Sequence, residues 1–235
     1  ALRVVRLDAV PLRGDEAFAV RYWAADPRDI VRDLAREEPH PLGTFVGFWA
    51  WKQAAGDSEF AMRFLPLLGN LVGVAAIAQL GRRLLGSDRA GLIAAALWAI
   101  HPYLIWHAQD VRNYAIWAGL SALALWLFIR AADRGQRRHW LLYVAVEALA
   151  LYTFFLEAFF LLGHALYLLL VRRERRAIRG ALLSWALLGV LLVPWLAQIW
   201  YLADSGYQGA VGDADPAALL TKFLPTLLIG DILPA

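Results

Sequence analysis

The sequence predicts an all-α fold, a polytopic transmembrane bundle of about six helices whose first extracytoplasmic loop carries amphipathic interfacial helices. Composition is the first reason. Of 235 residues, 60% are apolar and only 18% charged, with a mean hydropathy of +0.51, where soluble domains sit nearer 45–50% and about 25%. Run length is the second, since several apolar stretches approach the roughly 20 residues that cross a 30 Å hydrocarbon core. The placement of arginine is the third. Twelve Arg fall in three short connections after Leu80, while the intervening connections hold only Arg112 and Lys222.

Residues 1–60 carry ten acidic and eight basic side chains and are too polar to span. Within them Asp26-Pro27 reads as an N-cap followed by a first-turn proline, opening a helix with Ile30, Val31 and Leu34 on one face. Leu42–Ala55, with Phe45, Phe48, Trp49 and Trp51, reads as a second interfacial helix on the outer leaflet. The spans that follow are Phe64–Leu80, Leu92–Trp106 with Pro102 ending or kinking it, and Asn113–Ile129. Trp140–Val171 is too long for one crossing, since 32 helical residues would measure about 48 Å. A single crossing would also put Arg130, Arg134, Arg137 and Arg138 on the opposite side from Arg172, Arg173, Arg175, Arg176 and Arg179, against the positive-inside bias. A split near Tyr152–Phe155 into two short helices restores it. Ala181–Tyr201 is the last span, and Trp106, Trp140 and Trp200 fall at span ends as an aromatic belt would have them. Leu202–Pro216 reads as a loop and Pro216–Ala235 as an interfacial segment. The chain thus divides into an outer loop (1–60), a six-helix region (61–201) and an outer loop with interfacial tail (202–235).

Net charge is +3, too mild for a nucleic-acid partner. The absence of Cys removes thiol chemistry and Cys-ligated zinc, and no nucleotide-binding fingerprint is present. Three polar groups in the outer loops can carry chemistry. Asp15 and Glu16 are adjacent carboxylates that point different ways, so one faces a given substrate atom while the other orients it; the same pair suits a solvated acidic turn. In the segment from His107 to Tyr114, Arg112 can hold a phosphate bidentately, or else pair with Asp110 or reach toward headgroups. His40 stands between two prolines, as an anion contact or as a packed histidine. Inside the spans, Glu147 and His164 read as a structural pair, and Glu157 lies close enough to the outer surface to support a site.

An Asp-Glu loop, a His-Pro-Leu turn, the stretch SEFAMRFLPLLGNLVGVAAIAQLGRRLLG and then AALWAIHPYLIWHAQDVRNYA resemble, in that order, the GT-C-type glycosyltransferases, closest to the protein O-mannosyltransferase and aminoarabinose-transferase-like membrane enzymes. The resemblance runs from about Arg13 to Leu202. It implies inverting transfer of a sugar from a polyprenyl-phosphate donor to a lipid, glycan or protein acceptor, on the extracytoplasmic face of a bacterial inner membrane. By position it implies Asp15 as general base with Glu16 beside it, Arg112 and His40 on the donor phosphate, and Asp110, Tyr114 and Glu157 in support. No cofactor is implied, and a divalent metal is left open. The turn has one proline after His40 where the family often has two. The resemblance also implies helices before Gly14 and after residue 235. The competing class is a non-catalytic membrane component or a flippase for lipid-linked glycans, which should show broken, polar sites near mid-membrane.

Overall fold

The computed structural model describes residues 4, 7–9, 11–26, 28 and 40–204. Among these it is all-α. Helix α1 (Gly14–Phe18) continues as a π-helical turn over Ala19–Trp23, followed by α2 (Leu42–Ala55), α3 (Glu59–Leu85), α4 (Asp88–Ile100) and α5 (Pro102–Ala108). Then come α6 (Tyr114–Arg134), α7 (Arg137–Thr153), α8 (Glu157–Leu170), α9 (Arg175–Leu191) and α10 (Val193–Asp204). The expected helix after Asp26-Pro27 and the interfacial tail lie outside the described residues.

Local chemistry sets the helix ends. Ser58 and Ser87 cap α3 and α4 by accepting the N–H groups of Ala61 (3.2 Å) and Ala90 (3.4 Å), each satisfying one orphan donor of a first turn. Gly86 and Gly135 close α3 and α6 with φ of 65° and 60°, a left-handed backbone that glycine adopts at little cost. Residue 101, ahead of Pro102, leaves the helical region, as pre-proline sterics favour, and α4 and α5 meet at a 61° bend.

Among the described residues two helices, α3 and α6, are individually long and apolar enough to cross a bilayer, and the number rises to four if each bent pair, α4–α5 and α9–α10, is one span. The expected count of about six is therefore approximate: α8, at 14 residues, is apolar but short, and α7 has 17 residues. The predicted split of Trp140–Val171 is present, with Phe154–Leu156 separating α7 from α8. The expected continuous span Ala181–Tyr201 is instead bent by 50° between Leu191 and Val193. Pro194, which brings no N–H to the ladder, explains the break.

Helices α3 and α6 meet through small residues. A Cβ on Gly119 would collide with the carbonyl of Gly69, and one on Gly69 would meet the Cα of Ile116 at 2.6 Å, so the backbones approach as side-chain-free faces allow. Helix α4 docks on α3 the same way, through Gly91 against Ala78 and Arg82. The second core joins α6, α7, α8 and α9 around Phe128, Tyr143, Leu168 and Ala181. Trp140 is buried in it and meets Phe128 edge-on at 5.8 Å, so it is a core residue and not part of an aromatic belt. The α2 expectation changes too. Phe45 and Phe48 are fully buried, packed with Ala19, Ala24, Met62 and Val111, so the aromatic face of α2 covers protein and not a lipid leaflet.

At one end of the bundle Asp133 accepts from Arg83 (2.6 Å) and from Arg172. That carboxylate joins the Arg-bearing connections after α3, α6 and α8, so all three lie at one end, as the charge argument requires. The candidate site is at the other.

Candidate functional site

The site begins with α1. Glu16, at the third helical position, reaches back to accept the N–H of Arg13 (3.0 Å), half of a capping box. Its side chain is buried, and Arg63 on α3 grips it with two hydrogen bonds, Nε to Oε1 and Nη2 to Oε2, both 2.8 Å. The N–H of Val111 adds a third contact to Oε1 at 3.1 Å. Burial pushes the Glu16 carboxyl up, but the Arg63 hydrogen bonds, the two backbone N–H groups and the Arg63 charge outweigh it, and the net pKa is lowered. Arg63 also donates to the carbonyls of Leu7 (2.8 Å) and Pro11 (3.4 Å). One bidentate pair therefore clamps three pieces: the first loop, the start of α3 and the 109–113 connection.

Asp15 precedes Glu16 by about 100° around the helix and is exposed. It is close enough for its charge to act on Asp110. Asp110 is buried and lies 3.6 Å from Nη2 of Arg13, whose guanidinium also sits over the Trp106 ring at 5.0 Å. Burial, followed by the charge of Glu16, pushes the Asp110 pKa up to about 6 against the pull of Arg13 and Arg112.

Arg112 is half-buried. Its guanidinium covers the Tyr114 ring at 5.5 Å and contacts the Tyr114 hydroxyl at 3.4 Å. Next in sequence, Asn113 is fully buried and donates Nδ2 to the carbonyl of Thr153 (2.7 Å), which also accepts from Thr44 on α2 (2.7 Å). The connection that presents Arg112 is thereby pinned to the end of α7. His40 stacks on Phe154 at 6.1 Å, and Phe154 meets Tyr114 (5.5 Å) and Trp117 (4.9 Å) edge-on. An aromatic chain thus runs from His40 through Phe154 to Tyr114 and Arg112. Beneath it, buried Glu157 accepts from Trp117 Nε1 (2.6 Å) and from Ser121, fixing the indole that supports Phe154.

Glu147 and His164, expected as a structural pair, are both buried in the α7–α8 core at 3.8 Å, with His164 also bonded to Tyr143 (3.1 Å). Sequence reasoning left out Arg63, Arg13, Phe154 and His107; the last is buried among Tyr103, Trp106 and Tyr114 with both ring nitrogens lacking a hydrogen-bond partner. Arg63 did leave a signal: a lone arginine just inside an apolar run needs a partner. Among the described residues no three His, Asp or Glu side chains gather as a metal-binding group.

The sequence profile of the dolichyl-phosphate-mannose-protein mannosyltransferase family matches residues 39–200, well over half of the chain. The chain belongs to that family. Its apolar helices and this membership make it an integral membrane protein and a glycosyltransferase of the GT-C type. The mannosyltransferase-family match takes in His40, Asp110, Arg112, Tyr114 and Glu157 and starts after Asp15 and Glu16. No curated protein and no solved structure matches the chain.

Proposed function

We propose that the chain transfers a sugar from a polyprenyl-phosphate donor to a lipid, glycan or protein acceptor, with inversion, on the extracytoplasmic face of a bacterial inner membrane. The carrying observation is the Glu16 clamp. By locking Glu16 to Arg63 and to the Val111 N–H, it leaves the neighbouring Asp15 exposed beside the connection that bears Asp110 and Arg112. In this reading ionised Asp15 takes the proton of the acceptor as its nucleophilic atom attacks the anomeric carbon opposite the phosphate. The bond from that carbon to the phosphate oxygen breaks, and the phosphate leaves with the electron pair. Arg112, with His40 at the far end of the aromatic chain, receives the developing charge, where fixed positive groups act most strongly. Asp110 and Tyr114 set the position of Arg112. Glu157 acts one step further back, through Trp117 and Phe154. These aromatic rings suit a sugar and the first isoprene units of its lipid.

Sugar transfer from a polyprenyl-phosphate donor by the full-length enzyme tests the assignment. Asp15→Asn should lose roughly 10²- to 10⁴-fold in turnover, the usual range for a general base, with an unchanged thermal midpoint. Glu16→Gln should lower the midpoint, because it breaks a buried pair from one side. Wild-type turnover in Asp15→Asn with a dead but fully stable Glu16→Gln would exchange the two roles. Wild-type turnover in both would favour the non-catalytic reading.

A further inference from the structure

At the end of the bundle opposite Asp15 and Arg112, a cavity of about 600 Å³ opens between α7 and α9. Its mouth is basic. Arg137, Arg175, Arg176 and Arg179 line it, all four exposed, and none forms an ion pair with a carboxylate among the described residues. Arg176 donates to the Gly135 carbonyl (3.1 Å), which leaves part of its fork unused. The neighbouring Arg172 is already neutralised by Asp133 and Glu174, so the local carboxylates are spent outside the cavity. Below the mouth the wall is apolar. Leu141, Val144, Leu183 and Leu187 line it, and Leu141 and Leu183 are 48% and 63% exposed. From Arg176 to Leu187 is eleven residues, about 16 Å along a helix, close to half the thickness of a bilayer's hydrocarbon core. Gly180 lets α9 seat directly against the Trp140 ring, which also lines the cavity; a Cβ there would overlap that ring.

We propose that this cavity binds an anionic phospholipid, its phosphodiester on the four guanidiniums and one acyl chain in the trough beneath. Unpaired cations at the mouth need an anion, and a trough of exposed leucine needs hydrocarbon. A lipid with a net negative headgroup supplies both in one molecule, as basic pockets between membrane helices do for acidic lipids. Guanidinium forks suit phosphate oxygens better than ammonium groups would. A zwitterionic lipid meets the trough equally but brings its own cation to the mouth. The proposal concerns the end remote from the sugar-transfer site and does not rest on that assignment.

The test is native mass spectrometry of the full-length protein, partly delipidated and then titrated with phosphatidylglycerol or with phosphatidylcholine of identical chains. Phosphatidylglycerol should be retained at least tenfold more tightly. The double substitution Arg176→Gln with Arg179→Gln should reduce its retention to that of phosphatidylcholine. Leu183→Trp, which fills the trough and keeps every charge, should release both lipids; glycerol 3-phosphate at millimolar concentration should not displace bound phosphatidylglycerol. Equal retention of the two lipids by the wild type overturns the proposal, as does full displacement by glycerol 3-phosphate. So does a photoreactive side chain at Leu183 that captures another segment of the chain, or a second copy, in preference to lipid.

Discussion

Glu16 and Asp110 are both buried carboxylates at one site, yet their pKa values move in opposite directions, because burial prevails at Asp110 while Arg63 and the N–H donors outweigh it at Glu16. Glu16 has a bidentate arginine and two N–H donors, and it titrates below its ordinary value of 4.5. Asp110 has Arg13 only at 3.6 Å and a second carboxylate charge nearby, and it titrates near 6 instead of 3.8. The linkage signs follow. Between about pH 4 and 6 the native state holds the Asp110 proton more tightly than the unfolded chain does, so stability falls as pH rises through that window. The Glu16 contribution is present above pH 4.5 and is lost as pH falls through its lowered native value. Thermal midpoints of the full-length protein from pH 4 to 7 should therefore show Asp110→Asn gaining on wild type as pH rises. A constant offset across that range would mean Asp110 titrates normally. Glu16→Gln should behave in the reverse sense, costing about 3–5 kcal/mol near neutrality as one side of a buried pair and converging on wild type in acid. Asp15, His40 and Arg112 were legible as candidates from residue type and position, and Asp110 and Tyr114 from the family resemblance. The Arg63–Glu16 pair was not, because 47 residues separate its members and neither side chain carries a local mark of the other.

The elements were more legible than their mutual contacts. Hydropathy runs placed every long helix, and the charge argument found the α7–α8 break where no glycine or proline marks it. That break is a consequence of length against bilayer thickness, which sequence displays directly. Pro194 was present in the sequence as a breaker, but apolar residues on both sides hid its effect on the last span. The burial of Phe45 and Phe48 under Ala19 and Ala24 could not be read at all, since an apolar helix face looks the same whether lipid or protein covers it. Here that face is covered by Ala19, Ala24, Met62 and Val111, while the glycine contact draws the two long helices α3 and α6 together. Gly119→Leu should consequently destabilise the bundle by more than the roughly 1–3 kcal/mol of ordinary overpacking, because the obstruction is the backbone carbonyl of Gly69 and no side chain can swing aside. Gly163→Leu, where a Cβ meets nothing within 4 Å, is the control. Thermal unfolding in detergent separates them; equal midpoints would mean that α3 and α6 do not meet at their glycines.

At the scale of the whole molecule, the Arg-bearing connections after α3, α6 and α8 and the site occupy opposite ends, and the link through Asp133 makes that separation a property of how the helices assemble and not only of the sequence. Arg83 and Arg172 reach the same carboxylate from positions 50 and 39 residues away from it. If any one of α4–α5, α6, α7 or α8 ran the other way, these partners could not meet. Side-chain chemistry therefore fixes the relative orientation of the helices, while the proposed sidedness, with the Arg-rich end in the cytoplasm and the Glu16 clamp outside, rests on the positive-inside bias. These 235 residues hold no Cys, so single thiols placed among them report on this assignment once any Cys elsewhere in the full-length protein is replaced. In intact cells expressing the full-length protein, Gln136→Cys at the α6–α7 turn should resist a membrane-impermeant maleimide and Asp57→Cys, at the exposed start of α3, should react; both should react after permeabilisation. Labelling of Gln136→Cys with protection of Asp57→Cys would invert the molecule and place sugar transfer on the cytoplasmic side. Labelling of both in intact cells would mean that the two ends share one aqueous compartment, which a bundle crossing the bilayer between them does not allow.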